Sequence, residues 1–139
     1  MSTAVATVTN EILAMRGSFN TVMADRHMNF EREAGFAIQA ITSGDYIMKV
    51  ALANPQSVRD AVTNIASIGI SLNPAKKQAY LVPRKNKICL DISYMGLMDL
   101  AMDTGSIKWA QANIVYGKDT FASNGLDKPP LHSFDPFSK

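Results

Sequence analysis

Apolar residues recur at helical spacing through the first seventy positions of the chain. Asn10 predicts the start of one helix that runs to Met23, with Gly17 weakening its middle. Asn29 predicts the cap of a second helix, in which Glu31 and Glu33 occupy the first turn, where the helix dipole favours anions. We expect helices over Asn10–Met23, Phe30–Thr42, Asp45–Ala53 and, after the cap at Asn54, from Pro55 until Gly69 closes or bends the last one.

After Asn73-Pro74, the spacing of apolar residues changes from the helical pattern to the alternation of a strand. Two short segments, Gln78–Val82 and Lys87–Ile92, read as the strands of a hairpin joined by Pro83–Asn86. On the second strand Ile88 and its alternate neighbours should face the core, which leaves Lys87, Cys89 and Asp91 on the other face.

Helical spacing returns over Tyr94–Asp103 and ends at Thr104-Gly105. Trp109–Tyr116 reads as a third strand and Thr120–Ser123 as a fourth. The predicted fold class is therefore α+β, with an N-terminal helical cluster, a hairpin, a helix and one or two further strands on a small antiparallel sheet. The predicted organisation is one domain over 1–139, with a helical part (1–70), a hairpin, helix and strand part (71–123) and an irregular proline-rich tail (124–139) that continues into a missing C-terminal region.

Composition fits an ordinary globular chain with a core of its own, because 47% of the 139 residues are hydrophobic and 19% are charged. The one cysteine, Cys89, excludes a disulfide framework and fits a reducing compartment. Neither a signal peptide nor an apolar run of membrane-spanning length is recognisable. We therefore expect a cytoplasmic protein with no membrane partner.

Charge is distributed unevenly, although the formal net charge is only +2. No acidic residue lies between Asp60 and Asp91, whereas five basic residues do, and Tyr80 lies among them with Tyr94 just beyond. Cations interleaved with aromatic rings can follow a nucleic-acid backbone, because ammonium groups bind phosphates and rings stack on bases. A solvated surface is the alternative explanation. We call these residues the five window cations: Lys76, Lys77, Arg84, Lys85 and Lys87.

Candidates for catalysis are few. The sequence contains neither a phosphate-binding P-loop nor a dinucleotide-binding glycine pattern, so no cofactor is expected. His27 and His132 are far apart in sequence and lack neighbours of the kind that complete a zinc site or a Ser-His pair. Carboxylates offer a Mg²⁺-dependent nuclease as an alternative, with Asp99 and Asp103 on one helix face, although a solvated face is the simpler explanation. The three carboxylates of that alternative are Asp91, Asp99 and Asp103.

Several motifs in order resemble the RecT family of phage and prophage single-strand annealing recombinases. They are Ile-Gly-Ile-Ser-Leu-Asn-Pro-Ala-Lys-Lys-Gln-Ala-Tyr-Leu-Val-Pro from Ile68, Cys-Leu-Asp-Ile-Ser-Tyr-Met-Gly-Leu-Met-Asp-Leu-Ala from Cys89, and Gly-Ser-Ile from Gly105. The similarity extends from Phe30 to His132. It implies an ATP-independent protein that coats single-stranded DNA as a homo-oligomer, in a ring or a helical filament, and anneals it to a complementary strand to give a duplex intermediate. It also implies two protein partners, a phage exonuclease and the host single-strand binding protein.

Three departures from the family pattern concern positive charge and length. The family commonly has a cation where this chain has Met95, and two more where it has Met102 and Asp103. Family members also continue well beyond the equivalent of Lys139. The resemblance therefore describes the N-terminal part of a RecT-like protein, and an inactive prophage fragment with a structural or interaction role stays a second alternative.

The candidate DNA-binding residues combine the window cations with nearby aromatic residues. The cations would neutralise phosphates, Tyr80 or Tyr94 would stack on a base or orient the hairpin, and Lys108 with Trp109 would extend the surface. Sheet packing is the alternative role of Trp109. The complete candidate set is Lys76, Lys77, Tyr80, Arg84, Lys85, Lys87, Tyr94, Lys108 and Trp109.

Overall fold

The structure is a computed structural model that describes residues 3–134 and 136–137. It divides into two compact units, the first ending at Trp109 and the second beginning at Ala110. The organisation of residues 1–139 as a single domain stays a prediction. Within its predicted tail, Asp135 and residues 138–139 lie outside the described residues. The elements are α1 (Thr3–Leu13), α2 (Arg16–Val22), α3 (Phe30–Thr42), α4 (Asp45–Ala53), α5 (Pro55–Ile68), β1 (Ala79–Arg84), β2 (Lys87–Ile92), α6 (Tyr94–Asp103), β3 (Thr120–Ala122) and β4 (Leu131–Ser133).

The predicted α+β class, with helices before a hairpin, is confirmed. Helix α5 is central to the first unit, since it packs against α1, α2, α4 and β2. Asn54 caps it by accepting from the Ser57 N–H at 3.2 Å, and Gly69 ends it at φ 78°, a left-handed conformation that glycine adopts without steric cost. Of the apolar residues expected on the core-facing side of this helix, Val58, Ala61, Val62 and Ile65 are buried, whereas Ile68 is 37% exposed.

Two predictions for the first unit were wrong in detail. The first predicted helix is two helices, because Asn10 lies inside α1 and the break comes at Ala14-Met15 rather than at Gly17. Strand β1 continues through Pro83 to Arg84, so the hairpin loop consists of Lys85 and Asn86 alone. A two-residue loop suits the twist of antiparallel strands when both of its residues have positive φ, as these do.

The second unit contains a two-stranded antiparallel sheet of its own. The predicted fourth strand is present as β3, but it pairs with β4, in the segment that was predicted to be irregular, and not with the hairpin. The predicted strand over Trp109–Tyr116 is wrong, because this segment forms no strand and its side chains are largely exposed. A strand needs a partner edge, and alternation in sequence cannot supply one.

Among the described residues, no helix combines the length and the apolar character needed to cross a bilayer.

Candidate nucleic-acid interface

The β1–β2 hairpin places three candidate residues on one face. Its register pairs Tyr80 with Asp91 and Arg84 with Lys87. Ala79, Leu81 and Ile88 are buried against the helices, so the alternate positions Tyr80, Arg84 and Lys87 lie on the outward face. The predicted division of β2 into a core face and an outer face is therefore confirmed.

The window cations form two groups at opposite ends of the hairpin. Lys76 and Lys77 lie in the turn before β1, whereas Arg84, Lys85 and Lys87 surround the loop at the tip. Between the two groups, β1 runs for five residue steps, a length of about 17 Å. All five side chains are exposed.

Arg84 differs from the other four window cations because it forms an ion pair with Asp91 across the outward face. Within the described part of the chain, no carboxylate lies within 4.0 Å of Lys76, Lys77, Lys85 or Lys87. These four ammonium groups are therefore available to an external anion without breaking an internal pair.

The turn that carries Lys76 and Lys77 is fixed to helix α3 by a buried carboxylate. Glu33 is only 7% exposed and accepts from the Ser71 hydroxyl at 2.6 Å and from the Leu72 N–H at 2.9 Å. Ser71 in turn donates its N–H to the Gln78 side chain at 3.1 Å. Both ends of the turn are thereby connected to one point on α3.

The same turn is fixed to helix α6. Gln78 donates its side-chain amide to Asp99 at 2.7 Å, and Ser93, the N-cap of α6, donates its hydroxyl to the Lys77 carbonyl at 2.5 Å. Gly96 lies so close to the Gln78 carbonyl that an added Cβ would come within 2.3 Å of that oxygen. Tyr94, at the first position of α6 and 72% exposed, is therefore held beside the basic turn.

The tip of the hairpin is fixed to the N-terminus of α5. Asn54 donates its side-chain amide to the Asn86 carbonyl at 3.4 Å, and the Ile88 N–H donates to the Ser57 hydroxyl at 2.9 Å in a buried position. The residues that cap α5 thus also hold the loop that carries Lys85.

Backbone φ angles are positive in the turn before β1 and in the hairpin loop. The non-glycine residues with positive φ in the described chain are Lys77 at 53°, Lys85 at 47° and Asn86 at 59°. Asparagine tolerates this conformation, whereas a lysine adopts it at a cost of about 1 to 2 kcal/mol. Both strained lysines are window cations, and strain of this kind concentrates at functional sites.

The remaining candidates lie elsewhere. Lys108 and Trp109 are exposed at the end of the first unit, and Trp109 is 66% exposed rather than packed on a sheet.

The carboxylates of the nuclease alternative do not form one cluster, because Asp91 pairs with Arg84 and Asp99 accepts from Gln78. Throughout 3–134 and 136–137, no three His, Cys, Asp or Glu side chains lie close enough to hold a metal ion.

His132 is partly buried in the second unit, where its Nε2 lies 2.8 Å from Asp119 Oδ2. The hydrogen bond from His132, with a second from the Tyr116 N–H, holds the pKa of Asp119 below its usual value of 3.8. The pair connects the turn before β3 to β4, which is a structural role.

Sequence reasoning missed the residues that hold the basic turn, namely Glu33, Ser71, Gln78 and Ser93. One signal was present for Glu33. It stands three residues after Phe30 and four before Ala37, on the buried stripe of α3, although it was interpreted as a dipole-stabilising acid of the first turn. An acid on an apolar stripe indicates a buried partner.

The chain is 29% identical over 116 residues to Protein RecT of Escherichia coli (strain K12), an alignment covering 77% of this chain and 42% of that relative. The chain therefore spans about two fifths of the length of the curated relative that it matches. No solved structure matches it. Residues 28–137 match the profile of the RecT family, and because this match covers most of the chain, the chain belongs to the RecT family.

Proposed function

We propose that this chain binds single-stranded DNA through its phosphates and, as part of a RecT-type protein, anneals complementary strands without ATP in phage-type recombination. Family membership supports the proposal. The observation that carries it is a set of four exposed lysines that form no ion pair within the described residues. Lys76, Lys77 and Lys85 lie on two turns and Lys87 begins β2, and hydrogen bonds to α3, α5 and α6 hold these segments in place.

The chemistry of annealing explains why such a surface is suitable. A protein that pairs two strands must leave the Watson–Crick edges of the bases free, so it should grip phosphates and stack on base faces. Lys76, Lys77, Lys85 and Lys87 would bind phosphates, whereas Tyr80 and Tyr94, 45% and 72% exposed, offer rings for stacking. The proposed reaction forms base pairs and breaks no covalent bond.

Annealing is tested with two complementary oligonucleotides, one with a fluorophore and the other with a quencher, mixed without ATP. We expect this chain to accelerate quenching, and a version extended to the length of the E. coli relative to accelerate it more. DNA binding without acceleration by either version would support the inactive-fragment alternative. Cleavage of labelled DNA in Mg²⁺ would support the nuclease alternative instead.

The basic turn is tested by Lys76→Glu combined with Lys77→Glu. Binding should weaken on all single-stranded sequences alike, because phosphate contacts carry no sequence information. The matched control is Arg26→Glu with Lys49→Glu, which makes the same change in net charge at exposed positions of the helical part. Equal loss in both variants, or loss confined to one DNA sequence, would contradict the proposed contact.

Assembly and partners follow from the same proposal. A homo-oligomer, in a ring or a filament, would multiply weak individual contacts into useful affinity. A phage exonuclease that produces single strands and the host single-strand binding protein that covers them are the partners expected for such a role, in the cytoplasm. Mass measurements of the protein with and without a long single strand test the assembly.

A further inference from the structure

A groove of about 610 Å³ lies beside the hairpin in the first unit. Its walls are the C-terminal part of α3, the start of α4 and strand β1. The lining is mainly apolar, with the side chains of Phe36, Ala40, Ile47, Leu72 and Pro74. The volume falls in the range of binding sites that receive a specific ligand.

The β1 wall of this groove is an unpaired strand edge. The Gln78 carbonyl accepts from the Ser93 N–H at 2.9 Å, so the residues of β1 that bond to β2 are the even-numbered ones. The N–H and C=O groups of Ala79 and Leu81 therefore point away from β2, toward the groove that these residues line. In the part of the chain that the structure describes, no other element donates to or accepts from them.

An exposed strand edge beside an apolar groove has one well-suited ligand. Two N–H and two C=O groups in a row, spaced by two residues, match the backbone of another extended chain. Side chains pointing to one side of that chain would fill the groove. We propose that the β1 edge and this groove bind an extended peptide segment of a partner protein, which adds a third strand to the hairpin.

The length and charge of the partner segment follow from what surrounds β1. Pro83 is the next residue of β1 whose backbone points away from β2, and it has no N–H, so pairing ends there and the bound strand is about five residues long. Lys76 and Lys77 precede β1 and Lys85 follows it, whereas Asp45 is the acid of the groove lining. The segment that complements this surface has alternating apolar residues between acidic flanks.

The probe is a fluorescein-labelled synthetic peptide in which three valines alternate with two threonines between pairs of aspartates. We expect saturable binding to the full chain, together with slower hydrogen exchange of the Ala79 and Leu81 amides. A peptide with proline in place of the central valine should bind at least tenfold more weakly, because it lacks the central N–H. A peptide with lysine flanks should also bind more weakly.

The groove wall is tested by Ala40→Trp, which fills the groove from α3 without touching the strand edge. Ala53→Trp adds the same ring at an exposed position of α4 outside the groove and serves as the control, with thermal unfolding measured for both. We expect at least a tenfold loss of peptide affinity in the first variant alone.

Several results would overturn the proposal. They are absence of binding, equal affinity for the proline peptide, or unchanged exchange of the two amides in the bound state. Self-association of the chain that Ala40→Trp abolishes, without peptide binding, would identify a second copy as the occupant instead. None of these measurements involves DNA, so the peptide site and the annealing function can fail separately.

Discussion

Glu33 shows how one buried side chain can control an exposed surface. Its carboxylate accepts two hydrogen bonds from Ser71 and Leu72, and these residues begin the segment that leads to the basic turn. Without these bonds, the Leu72 N–H would lose its acceptor in a buried environment. Glu33 touches no exposed cation, so we regard it as a positioning residue.

We predict that Glu33→Gln lowers the free energy of unfolding by about 1 to 3 kcal/mol, since the amide oxygen can accept from only one of the two donors well and a buried donor is left unpaired. Denaturant titration measures this. Glu31→Gln is the control, because Glu31 is half exposed in its pair with Arg16 and should change stability by less than about 1 kcal/mol. Equal effects of the two substitutions would contradict the positioning role.

Lys85 occupies a conformation that suits other residues better. The loop of Lys85 and Asn86 has positive φ at both positions, for which Asn-Gly is the preferred pair. We predict that Lys85→Asn with Asn86→Gly stabilises the chain by about 0.5 to 1 kcal/mol while weakening DNA binding. Thermal unfolding and DNA titration of the same samples measure both effects. Stabilisation without weaker DNA binding would remove Lys85 from the proposed interface.

At the scale of elements, helix α6 is placed by a close backbone approach. The approach depends on Gly96, where a Cβ would meet the Gln78 carbonyl oxygen at 2.3 Å and the Ile70 side chain at 2.8 Å. Rotation of the Ile70 side chain could relieve the second contact but not the first, because the Gln78 oxygen belongs to the backbone. The helix or the basic turn would have to move.

We therefore predict that Gly96→Ala destabilises the chain by about 1 to 3 kcal/mol, the usual cost of forcing extra atoms into a packed site. It should also shift the amide resonances of Lys77 and Gln78. Gly35→Ala is the matched control in another helix, where nothing lies within 4 Å of the added atom, and it should stabilise by up to about 1 kcal/mol. A neutral Gly96→Ala would mean that α6 is less closely packed than the structure indicates.

The elements that could be predicted from the sequence are those that local rules determine. The caps at Asn29 and Asn54, the stripe of α5 and the alternation of β2 all lie within a few residues of the structure they specify. The pairing of β3 with β4 depends on contacts between two separate segments, which local patterns do not specify. Trp109–Tyr116 has the alternation of a strand but no partner strand in the described chain. Among site residues, the cations were visible as charge, whereas the roles of Ser71 and Gln78 depend on long-range hydrogen bonds.

At the scale of the whole molecule, salt dependence reports how many cations bind phosphate. On single strands each contact contributes about 0.7 to the slope of log K against log salt, so five contacts give a slope of about −3.5. Arg84 is already paired with Asp91, and if it stays paired the slope becomes about −2.8. We predict a value between these limits for one chain. Asp91→Asn should move it toward the steeper limit, whereas a slope near zero would contradict phosphate binding altogether.

The bonds between the hairpin tip and α5 have a consequence for the thermodynamics of association. Asn54 and Ser57 hold the backbone of the tip before any ligand arrives, so binding need not order a flexible loop. The entropic cost is then confined to the lysine side chains, at about 0.5 to 1.5 kcal/mol for each one that is immobilised. Under the proposed function, a preorganised tip therefore favours the capture of a strand, because less of the free energy of binding is lost to ordering the protein.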